Sequence, residues 1–154
     1  IKEETYLRKI KTIYKKFQPI IVRCPIIYSN HHDNQHKIFN FLLKLNIPLP
    51  LDISSNKRAY LLLENFLSFV VHIVKSKVKH YEFLICEKKN LSTSSMIKKF
   101  KTINKSKTKL FYVNYKLLKF IFTTINKKNL LNKIYGNFQM NPTVSFKRSN
   151  WTPK

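Results

Sequence analysis

The sequence predicts an α+β domain, a sandwich whose elements follow in the order β-α-β-β-α-β with helical extensions at both ends. Three features carry that prediction. Short β-branched or alternating runs occur at residues 19–28, 80–91 and 109–115. Runs with capping residues and apolar side chains every three to four positions lie before Leu45 and after Ser92. Pro48 and Pro50 bracket Leu49 in "LNIPLP".

Taken in chain order, residues 1–18 set Leu7, Ile10, Ile13 or Tyr14, and Phe17 at helical spacing, an amphipathic basic helix that Pro19 ends. "PIIVRCPIIY" is a strand with a bulge or an end at Pro25. "SNHHDN" caps a helix whose apolar face is Ile38, Phe39, Phe41, Leu42, Leu43 and Leu45. In "LNIPLP" the prolines stand at i and i+2, so both missing N–H groups fall on one side of an extended strand. Such a strand pairs only on its other side, which predicts a sheet edge.

Further along, residues 80–91 alternate through Tyr81, Phe83 and Ile85. "STSSMIKKFKTI" puts serine and threonine caps before Ile97, Phe100 and Ile103, and "KLFYVNY" sets Phe111, Val113 and Tyr115 on one face. The order is that of the split βαβ, ferredoxin-like sandwich with its second strand at an edge. The run "RAYLLLENFLSFVVHIV" is open between an extended strand and a helix. Beyond residue 116, helical stretches pass through Leu118, Phe122 and Ile125 and then through residues 130–135, where Gly136, the single glycine, supplies a cap. The closing "NFQMNPTVSFKRSNWTPK" is aromatic and basic without periodicity. The expected organisation is a basic helical extension (1–18), the sandwich (19–115) and a C-terminal extension and tail (116–154). Leu110 and Tyr112 on one side of the closing strand and Phe111 and Val113 on the other leave a sheet face that a partner or the C-terminal extension should cover.

The net charge is +23, from 30 Lys and Arg against 7 Asp and Glu. Phe, Tyr, Met, Ile, Asn and Lys make up over half of the chain, an AT-rich coding bias that explains Lys over Arg but not the sign of the charge. That sign asks for a polyanionic partner, with nucleic acid the default. Cys24 and Cys86 have no C-x-x-C spacing, which indicates neither a zinc site nor a disulfide framework. Residues 60–74 are too short for a membrane span and carry Glu64, Asn65 and His72. The N-terminus lacks the apolar core of a secretion signal, and Glu3 and Glu4 disfavour a transit peptide; a first residue of Ile rather than Met, read as a non-AUG start together with the coding bias, gives the expectation of an organelle-encoded protein.

One glycine excludes a P-loop and a glycine-rich dinucleotide turn, and no acidic pair or Ser-His-Asp order stands out. The expectation is therefore no enzyme, no catalytic residue and no cofactor. The RNA-recognition-motif signature is absent as well. His32 and His36 with Asp33 between them have metal-like spacing but lack a further ligand, so they read as helix-start chemistry and no metal is expected.

Four stretches in collinear order, "NIPLPL", "HIVKSKVKHYEF", "SSMIKKFKTI" and "KLFYVNY", resemble the ribosomal protein S-ten (NusE) family over about residues 19–115. The chain departs from that family at Asn46-Ile47, Leu51, Val70-Val71 and Leu84-Ile85-Cys86, where the family has Gly-Pro, Thr, Ser-Pro and Arg-Thr-His, and it inserts residues between Pro50 and Tyr60. The resemblance implies a long hairpin arm between the second and third strands, about residues 51–83, threaded into ribosomal RNA. It also implies a structural role in the mitochondrial small subunit, in the matrix. The partners would be head rRNA and the neighbouring proteins numbered three, nine and fourteen, with no membrane and no homo-oligomer.

The RNA-binding candidates are Lys57, Arg58, His72, Lys75, Lys77, Lys79, Lys88, Lys89, Lys147, Arg148 and Trp151. Any one lysine reads equally as a solvated side chain, and His72 as a surface residue rather than a base or phosphate contact at the arm tip. Trp151 reads as a base-stacking group or as an anchor on a neighbouring protein. The rival functions are an accessory subunit of an organellar respiratory complex and another organellar RNA-binding protein.

Overall fold

The computed structural model describes residues 2–29, 41, 43–76, 78, 82–126 and 128–154. Its elements are α1 (Lys2–Ile13), β1 (Ile21–Arg23), β2 (Ile26–Tyr28), β3 (Tyr60–Leu62), α2 (Leu63–Lys75), β4 (Glu82–Leu84), α3 (Thr93–Ile103), α4 (Tyr115–Thr124), α5 (Lys128–Tyr135) and α6 (Thr143–Ser149). Among the described residues the fold is mixed α/β, with two small parallel strand pairs and these six helices. β1 runs parallel to β4, Val22 opposite Phe83, and β2 runs parallel to β3, Ile27 opposite Leu61. β1 and β2 are one extended run interrupted at Cys24 and Pro25, where proline removes a ladder donor.

The hairpin arm expected over residues 51–83 is replaced in its centre by α2. Phe66, Phe69, Val70 and Ile73 repeat at helical spacing, and Asn65, Phe69 and Ile73 are the positions that become buried. Glu64 in the first turn and Lys75 in the last complement the helix dipole. The β-branched Val70, Val71 and Val74, which favoured a strand, end up exposed. The cap comes from far along the chain, for Glu87 Oε1 accepts the Leu62 N–H and the Asn65 amide, each at 2.9 Å.

Local signals elsewhere act as the sequence requires. Ser92 Oγ accepts the Ser95 N–H at 3.1 Å and opens α3. Leu49 donates to the Lys109 carbonyl at 2.9 Å and accepts from Phe111 at 3.0 Å, pairing on the side where the flanking prolines leave donors. That Leu49–Leu110 bridge is isolated, and the closing strand expected through Tyr115 stops early. Asn114 Oδ1 caps the Lys116 N–H at 2.8 Å, so Tyr115 begins α4 instead. Gly136 is required by space: a Cβ there would lie 2.5 Å from the Asn132 carbonyl oxygen.

Two apolar clusters form the core. One gathers Tyr28, Leu43, Leu49, Tyr60, Met96, Ile97 and Phe100 beneath α3. The other sets Leu61, Phe69, Ile73, Phe83, Ile85 and Trp151 between α2 and β4. The tail expected to lack periodicity thus forms α6 and an anchor. Asn150 at φ 52 turns the chain in the left-handed region, which asparagine tolerates, and Trp151 returns to the core. Its ring stands edge-on to Phe69 at 5.1 Å and to Phe146 at 5.9 Å, and its indole N–H donates to Ser68 Oγ at 3.2 Å.

The opposite face is layered differently. α1 has no buried residue and is tied by ion pairs, Arg8 to Glu82 and Glu4 to Arg23, the latter with contacts of 2.9 and 2.5 Å. The Arg23 hydrogen bond holds the Glu4 carboxyl below its ordinary value. In the β1–β4 register Val22 stands beside Phe83 and faces the second cluster, and alternation sends Arg23 to the other face, towards α1.

Candidate anion-binding cleft

The site begins with a buried amide. Asn56 Nδ2 donates to Thr93 Oγ1 at 2.8 Å and to the Ile134 carbonyl at 3.0 Å, while its Oδ1 accepts the Thr93 N–H at 2.9 Å. This fixes the next residues, 57–59, between two other segments. Arg58 and Leu91 exchange backbone bonds at 2.9 Å on one side. On the other, Phe138 donates to the Lys57 carbonyl at 2.9 Å and accepts from Ala59 at 2.6 Å. The Arg58 guanidinium is half-buried, and its Nη1 donates to the Gly136 carbonyl at 2.7 Å. It also bonds the Tyr60 hydroxyl, which opposes but does not outweigh the upward push that burial gives the phenol. A guanidinium carries more donors than these contacts use, in a fork that matches phosphate oxygens.

Next to Leu91 and Phe138, the chain lines a cleft of about 560 Å³, with Lys88, Asn90, Gln139, Asn141 and Thr143 as polar walls and Met140 and Phe146 as apolar ones. That size suits a small molecule. Asn90 Oδ1 is buried and meets no donor among the described residues. Asn141 Oδ1 accepts the Thr143 N–H and hydroxyl at 3.1 and 2.6 Å, and its NH₂ meets no acceptor among the described residues. Amides, a hydroxyl, one ammonium and an aromatic wall suit a hydroxyl-rich ligand bearing negative charge. Cys86, which reaches the Met140 carbonyl at 3.8 Å, is no nucleophile here, because burial pushes its thiol up to about 11.

Of the basic candidates, Lys88 lines this cleft and Arg58 pairs with Leu91 at its border, while Lys57, Lys88 and Lys89 are exposed. Lys75 is exposed at the end of α2, and Lys147 and Arg148 are exposed on α6. His72 is not at an arm tip: its Nε2 meets the Ser149 carbonyl at 2.7 Å and Ser76 Oγ at 3.4 Å, tying α2 to α6. Trp151 is 8% exposed and stacks within the chain's own core, so it offers no platform to a base. Lys77, Lys79, His32, Asp33 and His36 lie outside the described residues. Sequence reasoning passed over Asn56, Asn90, Gln139 and Asn141. Only the Asn-Pro-Thr turn at 141–143 carried a local signal for any of them.

Among the described residues no helix is long and apolar enough to cross a membrane. No protein-family model matches the chain, and no curated protein matches it in sequence. Its fold is similar to that of RMD from Pseudomonas aeruginosa complexed with NADPH, at 10% identity and a TM-score of 0.62 over 99% of this chain and 47% of that one. It is equally similar to Pal from Bacillus thuringiensis, at 17% identity and a TM-score of 0.61 over 99% of this chain and 45% of that one. The chain thus spans less than half the length of either, and neither points to the ribosomal family.

The likeness overturns the expectation of a non-enzyme as a reading of the fold, since the fold is one shared with a protein complexed with NADPH. The residues of this chain do not fit NADPH itself. A dinucleotide pyrophosphate needs a glycine-rich turn between a strand and a helix. The single glycine, Gly136, instead follows α5 against the Asn132 carbonyl.

Proposed function

We propose that this chain is the substrate-holding half of a nicotinamide-dependent enzyme fold. It takes a small, hydroxyl-rich anion in the cleft lined by Lys88, Asn90 and Asn141, next to the Leu91 segment that pairs with Arg58. The reading rests on one observation: almost the whole chain aligns with less than half of an NADPH-complexed chain, yet it has no glycine turn of its own. The dinucleotide then belongs to a glycine-bearing half outside these residues. Arg58 forks onto phosphate oxygens, and Lys57 and Lys88 raise the local potential for the anion. Asn90 Oδ1 accepts from a ligand hydroxyl, and Phe146 and Met140 form the apolar wall. Hydride transfer would be the nicotinamide's chemistry, while these residues bind and orient.

The test is calorimetric titration with UDP-glucose, GDP-mannose, UDP, glucose and NADPH in turn. The diphosphate sugars bind, glucose does not, and Arg58→Ala weakens the binding by roughly 10- to 150-fold, the worth of a charged hydrogen bond. Equal affinity for wild type and Arg58→Ala would remove the reading.

A second reading draws on the net charge of +23 and the exposed Lys57, Lys75, Lys88, Lys89, Lys147 and Arg148. It keeps the ferredoxin-like, S-ten-type protein of the mitochondrial small subunit, held to rRNA by counterion release. Co-sedimentation with small subunits that high salt strips away, without diphosphate-sugar binding, decides for it.

A further inference from the structure

Among the described residues, the strand pair β1–β4 is finished on one edge only. On the outer edge of β4, Leu84 donates its N–H to Ser145 Oγ at 2.7 Å, and α6 packs along it. On the inner side, the Ile85 N–H donates to the Arg23 carbonyl at 3.0 Å, so Arg23 directs its backbone groups towards β4. Successive strand residues direct theirs to opposite edges, so Val22 presents its N–H and C=O away from β4. Among the described residues, β1 pairs with no strand but β4.

The surroundings of that edge match an unfinished sheet. Both faces are already covered, by α1 over Arg23 and Glu82 and by the α2 cluster over Val22 and Phe83. Leading into it, Ile13 and Tyr14 are each 63% exposed, and Phe17 and Ile20 each 40%. Exposed large apolar groups in the segment that leads into an unpaired strand mark an interaction surface. A two-stranded parallel sheet is also small for its class, because parallel sheets are extended and doubly covered.

We propose that the Val22 edge of β1 receives a further strand from a glycine-bearing, dinucleotide-binding half, with residues 13–20 packing against it. This rests on the reading of the chain as a substrate-holding half. The occupant follows from three observations. RMD and Pal each continue for more than half their length beyond the part this chain matches. Two copies of a chain at +23 repel each other. RNA has no strand to add.

The experiment places a benzoylphenylalanine photo-cross-linker at Phe17 of the whole chain, in the cells the gene comes from, and identifies the cross-linked peptide by mass spectrometry. The expected product, within one polypeptide or between two, carries a G-x-G-x-x-G turn between strand and helix, and NADPH elutes it from an immobilised nucleotide matrix. Val22→Pro, which removes an N–H that meets no partner among the described residues and trims a side chain at the border of the second cluster, cuts the cross-link at least tenfold with far-UV circular dichroism and Trp151 emission unchanged. Ile20→Lys serves as the second variant and gives the same loss. Unchanged cross-linking in both variants overturns the proposal, as does a product joined to a second copy, to RNA or to a protein without the turn. A cross-link to the glycine-bearing half without diphosphate-sugar binding by this chain defeats the substrate reading alone. Binding without the cross-link defeats the docking edge alone.

Discussion

The two flanks of the β1–β4 pair are held by different forces. The C-terminal flank is sealed by the chain's own apolar groups: Trp151 and Phe146 stack behind β4, and Ser145 caps its edge. The N-terminal flank has α1 with no buried residue, held by ion pairs, beside exposed Ile13, Tyr14, Phe17 and Ile20. Burial of aromatic area is worth several kcal/mol, whereas exposed ion pairs contribute about 0–1 kcal/mol. One flank therefore reads as an interior and the other as a surface awaiting its cover.

The sharpest way to break this contrast is at its strongest point. Trp151→Ala removes two ring contacts and an indole hydrogen bond, and should lower stability by about 3–5 kcal/mol in urea unfolding followed by circular dichroism. A shift below about 1 kcal/mol would show that the tail is an appendage. Asn56→Ala comes next. It strands the Thr93 N–H, while the Thr93 hydroxyl keeps its bond to the Ile134 carbonyl, at a cost of roughly 1–3 kcal/mol, and loosens the Arg58 segment enough to weaken diphosphate-sugar binding as well.

Val22→Pro should change the stability of the chain by less than about 1 kcal/mol, because the lost donor faces no partner among the described residues. The smallest effect belongs to α1 and depends on pH. Glu4 is pulled down by Arg23, so its contribution is full above the ordinary carboxylate value of 4.5 and is lost as pH falls through the lower folded value. Acid should therefore release α1, seen as loss of amide protection over Lys2–Ile13, while Trp151 emission holds. Glu4→Gln should abolish that acid step.

Much of the local structure was legible in the residues themselves. Pro25 marked the break between β1 and β2, Ser92 the start of α3, and the proline pair the single pairing side of Leu49. These signals act within a few residues. What was hidden depends on partners far along the chain. α2 begins at Leu63 without a local cap, because Glu87 supplies it. Strand direction is invisible to an alternating pattern, so the parallel pairing of β1 with β4 and of β2 with β3 could not be read, and an antiparallel arm was expected instead. Trp151 looked like a free aromatic since its stacking partner, Phe69, lies in a helix the sequence left open. Arg58 was expected as a phosphate contact to RNA, but its placement by Asn56, Leu91, Gly136 and Phe138 joins four separate stretches that no spacing rule connects.

Amide hydrogen exchange on the isolated chain tests the unfinished sheet most directly, by comparing Val22 with Leu84. Two residues of one strand pair should exchange at widely different rates, slow at Leu84, whose N–H is held by Ser145, and fast at Val22, whose N–H meets no partner among the described residues. Equal, strong protection at both would mean that the chain closes its own sheet, and the account of an open half would fail.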